Sequence, residues 1–138
     1  MPLRRNVKLE LLSRVELFRA CSKRQLAQIG SLADELDLEA GRTLISEGVP
    51  GREFFVLVEG TVKITRRGRR IAELGPGGWF GEIALIMNAP RSATVVTTSP
   101  VRVLVIEQRA FRQLMRDVPS IQLKVLESLA ARLAAESL

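Results

Sequence analysis

The sequence has no histidine, no tyrosine and only one cysteine. The lack of histidine removes the commonest general base and metal ligand, and no cysteine–base pair or carboxylate cluster with metal-ligand spacing replaces it. The single cysteine, Cys21, excludes an internal disulfide and is typical of a protein from a reducing compartment. We therefore expect no catalytic residues, no metal and no cofactor, and a cytoplasmic location.

Long apolar runs are also missing. None of the apolar stretches is long enough to cross a bilayer, and Lys8 and Glu10 interrupt the N-terminal one, so we expect neither membrane contact nor a secretory signal. Hydrophobic residues make up 46% and charged residues 26%, which is typical of a globular domain with its own core. The net charge of +6 bears on solubility and association. Its densest stretch is typical of a solvated hairpin tip and consists of Arg66, Arg67, Arg69 and Arg70 around Gly68. No DNA-reading module follows, so nucleic-acid binding is not predicted without an additional domain.

The spacing of apolar residues divides the chain into three segments. Residues 1–34 show helical spacing, and Ser22 with Gln25 forms a capping-box pattern at the start of the second helix. Residues 35–107 change to a period of two, with glycine at short intervals, which indicates an antiparallel barrel or roll. Residues 108–138 return to helical spacing. We therefore predict one mainly β domain of the α+β class, flanked by helices at both ends.

The most informative stretch is residues 79–95. Gly81 lets the backbone approach a ligand closely, and the residues from Glu82 to Met87 fit one or two helical turns. The first amides of such a helix, near Glu82, Ile83 and Ala84, have no carbonyl partner within it. Unpaired N–H groups and the positive end of the helix dipole favour an anion, typically a phosphate.

Arg91 lies among small and apolar residues, so its guanidinium needs solvent or a counter-charge. An anion held by the short helix would supply that charge with bidentate geometry. The carboxylate of Glu82 only accepts hydrogen bonds, which suits a sugar hydroxyl. The alternative is that Glu82 caps the helix and pairs with Arg91. For the whole arrangement we favour a ligand that carries both a phosphate and a free ribose hydroxyl.

Two blocks of this stretch closely resemble the phosphate-binding cassette of cyclic-nucleotide-binding domains: Phe80-Gly81-Glu82-Ile83-Ala84-Leu85 and Pro90-Arg91-Ser92-Ala93-Thr94-Val95. That family includes bacterial catabolite activator proteins, protein kinase A regulatory subunits and cyclic-nucleotide-gated channels. The resemblance implies a jelly-roll (a double-stranded β-helix) with the cassette at residues 80–95. It also implies that turn glycines such as Gly51 fix the roll and need not touch the ligand. The ligand contacts that it implies are Gly81, Glu82, Ile83, Ala84, Arg91 and Ser92.

In this family a C-terminal helix covers the base as a lid or pairs with its twin in a dimer. The resemblance makes Arg132, Leu133 and Glu136 further candidates for contacts from such a lid. Apolar residues at helical spacing are also what a core or a homodimer seam requires, and both interpretations stay open.

The predicted function is a regulatory sensor domain that binds 3′,5′-cyclic AMP and couples binding to movement of the flanking helices. Ser92 favours cyclic AMP over cyclic GMP, because cyclic-GMP-selective relatives often carry threonine there; cyclic GMP remains the alternative ligand. The other interpretations are a ligand-free interaction or dimerisation scaffold, and the sensor fragment of a transcription regulator or channel.

Overall fold

The computed structural model describes residues 2–136, with Arg132 and Glu136 described by their backbone alone. The described residues divide into two compact units. One unit spans residues 33–109 and contains every strand given below. The other consists of the residues up to Leu32 together with those from Ala110 onward.

The first unit consists of two four-stranded antiparallel sheets, with orders β1-β8-β3-β6 and β2-β7-β4-β5. The mainly β antiparallel roll with flanking helices that the sequence predicts is confirmed. The strands are β1 (Asp34–Leu38), β2 (Thr43–Ile45), β3 (Glu53–Glu59), β4 (Val62–Arg66), β5 (Arg69–Leu74), β6 (Trp79–Phe80), β7 (Thr94–Thr97) and β8 (Val101–Glu107).

The core of this unit lies between the sheets. Leu57 and Val103, which are paired across β3 and β8, are fully buried there, and the stacked rings of Phe55 and Phe80 have centroids 5.0 Å apart. Burying a side chain of this size contributes about 1.5–3 kcal/mol. Residues on both faces of β8 are buried, which explains why residues 103–106 form a continuous apolar run and not an alternating pattern.

The β4–β5 hairpin turns at Arg67 and Gly68, which both have positive φ angles, 53° and 76°. Such a two-residue turn matches the twist of the strands, but the left-handed conformation is unfavourable for arginine. The amide of Arg67 donates a hydrogen bond of 2.9 Å to Oε1 of Glu47. The predicted hairpin is therefore present, and its tip is held by a carboxylate from the β2–β3 connection.

The helices are α1 (Arg5–Ser13), α2 (Lys23–Leu32), α3 (Gln108–Asp117) and α4 (Pro119–Glu136), with a short 3-10 turn at Glu16–Phe18. The capping box is formed: the amide of Ser22 donates to Oε1 of Gln25 at 2.9 Å, and the amide of Gln25 donates to Oγ of Ser22 at 3.2 Å. Within the helical unit, the rings of Phe18 and Phe111 lie 5.8 Å apart. In residues 2–136, no helix has the length and apolarity needed to span a membrane.

Candidate ligand-binding site

A cavity of about 380 Å³ opens beside the cassette in the strand unit. This volume lies within the range of roughly 300–1,000 Å³ that is usual for small-molecule sites. The walls consist mainly of apolar side chains, with charged groups at a few positions. All six ligand contacts implied by the resemblance line this one cavity: Gly81, Glu82, Ile83, Ala84, Arg91 and Ser92.

The backbone of Arg91 is fixed on both sides. Its amide donates to the carbonyl of Val49 at 3.0 Å, and its carbonyl accepts from the amide of Gly48 at 2.8 Å. Pro90, the residue before it, forms an isolated bridge with Pro50. The loop between β2 and β3 therefore sets the position from which the Arg91 side chain enters the cavity.

The Arg91 side chain runs between two glycines. Its Nη2 donates to the carbonyl of Glu53 at 2.7 Å. A Cβ atom on Gly51 would overlap the guanidinium, and one on Gly81 would lie 2.9 Å from Nη1 and 2.8 Å from the Glu53 carbonyl oxygen. Gly51 does not have a positive φ. Beside its predicted role in fixing the roll, Gly51 makes the space that the guanidinium occupies.

The electrostatic surroundings of Arg91 are consistent with a cation prepared for an anion. Burial lowers the pKa of the Arg91 guanidinium from its usual value, and the nearby carboxylates of Glu53 and Glu82 act in the opposite direction. Arginine nevertheless remains protonated at physiological pH, so the cation itself is partly desolvated. Within the described residues its one hydrogen bond is to the Glu53 carbonyl, which leaves most of its N–H donors available.

The cassette helix is a 3-10 helix over Glu82–Leu85, and Gly81, with φ 83°, is its N-cap residue. Its first bond already forms at the third residue, because the amide of Ala84 donates to the carbonyl of Gly81 at 3.1 Å. The prediction of an unpaired amide at Ala84 was therefore wrong. The tighter winding leaves only the amides of Glu82 and Ile83 ahead of the first helical bond.

Arg66 is a cavity residue that the sequence did not identify. It is the last residue of β4, and its Nε donates to the carbonyl of Ser92 at 2.9 Å. The sequence placed Arg66 with the solvated arginines of the hairpin tip. The signal that could have identified it is its position two residues after Ile64, which places both side chains on one face of the strand.

Every described residue that lines this cavity lies between Ile45 and Val95, and the lid candidates Arg132, Leu133 and Glu136 belong to α4. Leu133 is 64% exposed on α4. The side chains of Arg132 and Glu136 lie outside the described part of the structure. Their predicted contacts with the base stay predictions.

Comparison with known proteins identifies the family. Residues 35–118 match the model of the cyclic nucleotide-binding domain. Over 129 residues the chain is 31% identical to the CRP-like cAMP-activated global transcriptional regulator of Mycobacterium tuberculosis, covering 90% of this chain and 58% of that protein. The chain thus spans somewhat more than half the length of this curated relative.

Two solved structures are similar in fold and sequence. The N-terminal domain of a transcriptional regulator from Streptomyces coelicolor A3(2) has a TM-score of 0.86 and 30% identity, over 92% of this chain and 94% of that one. The cAMP-bound PfPKA-R (141–441) has a TM-score of 0.71 and 25% identity, over 91% and 47% of the two chains. With the matched model covering more than half of its residues, the chain belongs to the cyclic nucleotide-binding domain family.

Proposed function

We propose that the chain is a sensor that binds 3′,5′-cyclic AMP at the cavity beside the cassette. The observation that carries this proposal is the environment of Arg91. A partly buried cation is held by a backbone carbonyl and two glycines, and it lies at the same cavity as a carboxylate from Glu82. A ligand with both an anionic ring and a sugar hydroxyl satisfies both groups.

Five of the six implied ligand contacts have a role in this proposal. Arg91 binds the cyclic phosphate through its remaining N–H donors, and the amide of Ile83 adds a neutral donor from the start of the 3-10 helix. Glu82 accepts a hydrogen bond from the ribose 2′-hydroxyl. Gly81 lets the backbone come close to the ligand, and Ser92 lies beside Arg91 for a phosphate or base contact.

Cyclic AMP is favoured over cyclic GMP by three observations. The Mycobacterium tuberculosis relative is described as cAMP-activated, and PfPKA-R was solved with cAMP bound. Ser92 stands where cyclic-GMP-selective members of the family often carry threonine. Cyclic GMP is the second ligand to test.

The family is regulatory, and the chain is a binding module and not an enzyme. We propose that ligand binding shifts an equilibrium between two positions of the terminal helices, by no more than the difference in ligand affinity between the two states.

We further propose a homodimer through α4. Leu123 and Leu126 on this helix are 56% and 55% exposed, and Ala130 continues the same stripe. Sedimentation equilibrium of the chain tests the dimer.

The role of the whole protein follows from its relatives. We propose that the chain is the sensor part of a cytoplasmic transcription regulator, in which DNA binding would come from a domain outside residues 1–138. A ligand-free dimerisation scaffold is the alternative. It is disfavoured because Arg91 and Glu82 are both present and line the same cavity.

Calorimetric titration of the chain with cyclic AMP tests the proposal, with 5′-AMP as the control ligand. Binding of the cyclic nucleotide alone, together with a thermal midpoint that rises with its concentration, is the expected result. At a ligand concentration of 100 times Kd, mass action stabilises the fold by about 2.7 kcal/mol. Absence of heat and of a shift with both cyclic AMP and cyclic GMP would leave the scaffold interpretation.

A further inference from the structure

The cavity contains a second arginine, Arg66, that the proposed roles leave unused. It is exposed at the end of β4, yet it lines the cavity and is not simply one of the solvated hairpin cations. Its Nε donates to the carbonyl of Ser92 at 2.9 Å, which links the guanidinium to the cassette through one hydrogen bond. Within the described residues, its two Nη groups make no hydrogen bond or ion pair.

The walls next to Arg66 are apolar and come from the same hairpin. Ile64 lies two residues before Arg66 on β4 and lines the cavity. Ile71 lines it as well: Ile64 pairs with Ala72 and Thr65 with Arg70, so Ile71 is the extra residue of a β-bulge. Bulges often redirect a side chain in this way.

The proposed function divides the cavity between the two halves of a cyclic nucleotide. The phosphate and ribose need the charges and amides of the cassette, at Glu82 and Arg91. The flat, largely apolar base then remains for apolar walls such as Ile64 and Ile71, which belong to the same hairpin as Arg66. A guanidinium there can donate hydrogen bonds to a purine but cannot accept any.

We propose that Arg66 contacts the purine edge and determines how strongly the site discriminates between adenine and guanine. This inference rests on the proposed function. Guanine presents two adjacent acceptors, O6 and N7, which match the paired N–H groups of arginine. Adenine presents the acceptor N7 next to an amino group, which is a donor. Arg66 can therefore make one hydrogen bond, to N7, and its second N–H group faces another donor. Arg66 therefore favours guanine and reduces the preference for cyclic AMP.

The test is a set of calorimetric titrations of the whole chain with cyclic AMP and cyclic GMP. Arg66→Leu keeps an apolar stem and removes the donors, whereas Arg66→Lys keeps the charge and removes the paired geometry. We expect both variants to weaken cyclic GMP binding by roughly five- to 150-fold relative to their effect on cyclic AMP, the range measured for a bidentate base contact. Cyclic IMP, which keeps O6 and N7 but lacks the 2-amino group, should follow cyclic GMP.

Arg69→Leu is the matched control. Arg69 lies opposite Arg66 in the same hairpin and carries the same charge, but it does not line the cavity. Its replacement should leave the ratio of the two affinities unchanged. Equal losses for both nucleotides in Arg66→Leu would show that Arg66 acts on the phosphate or only through Ser92, and would overturn the inference. So would unchanged affinities for both. If the unaltered chain binds neither nucleotide, the proposed function itself fails, a result visible without any variant.

Discussion

The cassette and the β4–β5 hairpin each bring one arginine to the same cavity, but they hold it in different ways. The amide and the carbonyl of Arg91 both make hydrogen bonds. Its guanidinium donates to a backbone carbonyl and lies between two glycines. Arg66 is exposed at a strand end, and the structure gives its side chain one hydrogen bond, to the Ser92 carbonyl. The fixed arginine lies beside Gly81, at the start of the helix turn that supplies Glu82, and the exposed one lies at the end of β4, two residues after Ile64.

This difference shows where binding energy and selectivity should come from. A desolvated cation loses hydration, so the surroundings of Arg91 must hold it before the ligand arrives, and an anion then gains strongly from it. Arg66 remains hydrated without ligand. The free energy that it contributes to binding is therefore only the difference between its hydrogen bonds to the ligand and those that it already makes to water. We expect Arg91 to dominate affinity for any cyclic nucleotide and Arg66 to act mainly on the choice of base.

Arg91→Ala should produce the largest effect. Loss of one partner of a buried charge pair costs about 2–5 kcal/mol. The binding free energies of cyclic AMP and of cyclic GMP should both become less favourable by that amount. Titration calorimetry measures the loss, and thermal melting without ligand checks that the variant is folded. Unchanged affinity would remove Arg91 from the site and make the two arginines equivalent.

Gly51→Ala tests whether the position of the Arg91 guanidinium matters as much as its charge. The new methyl group would overlap the guanidinium and displace it from the Glu53 carbonyl. We expect cyclic AMP binding to weaken by about 1–3 kcal/mol, the cost of leaving a polar group without its partner. The same titration measures the effect.

Gly75→Ala is the control for this change. Gly75 has no positive φ, and no atom lies within 4 Å of its added Cβ, so its replacement should leave binding unchanged. Equal effects of the two substitutions would mean that any methyl group in these loops disturbs the site, and that the contact between Gly51 and Arg91 is incidental.

The sequence was sufficient for features that depend on near neighbours. The capping box at Ser22 and the hairpin around Gly68 are each encoded within a few residues, and the structure contains both. The antiparallel roll also follows from the period-two pattern and the frequent glycines. The six cassette residues reach one cavity because the two sequence blocks that carry them are only a few residues apart.

Contacts between distant segments could not be predicted in the same way. Gly51 and Arg91 are forty positions apart in the sequence, and nothing near Gly51 distinguishes packing against a guanidinium from an ordinary turn. Arg66 belongs to a run of arginines, and only the pairing of β4 with β7 shows that it reaches Ser92. The paired amide of Ala84 was missed because composition does not separate a short 3-10 helix from a turn of α-helix.

Glu82→Gln tests the predicted role of Glu82 in the cassette, and it should weaken cyclic AMP binding less than Arg91→Ala does. The amide can still accept a hydrogen bond from the ribose but without the negative charge, and the difference between charged and neutral hydrogen bonds is about 1 kcal/mol. Cyclic AMP should bind more weakly by that amount. The control is 2′-deoxy cyclic AMP, which lacks the hydroxyl and should bind the variant and the unaltered chain equally. An equal loss with the deoxy ligand would assign Glu82 to holding Arg91.

Arg67→Gly should have the smallest effect, and on stability alone. Arg67 has φ 53°, and the left-handed conformation costs a non-glycine residue about 1–2 kcal/mol. Glycine removes that strain but is more flexible in the unfolded chain, at a cost of roughly 0.5–1 kcal/mol, so the net gain should be about 0–1.5 kcal/mol. The amide that donates to Glu47 is kept. Urea unfolding measures the gain, and titration with both nucleotides should show unchanged affinities.

Gly68→Ala, at the neighbouring position, should change the free energy of unfolding in the opposite direction. Gly68 has φ 76° and open space around its added Cβ, so this variant should lose stability through its backbone alone. If both variants behave as expected and neither alters nucleotide binding, the hairpin acts on the ligand through Arg66, Ile64 and Ile71 and not through its tip. Weakened binding in Arg67→Gly would instead mean that the strained turn positions Arg66. The exposed arginine would then be as firmly preset as Arg91, and the contrast between the two would disappear.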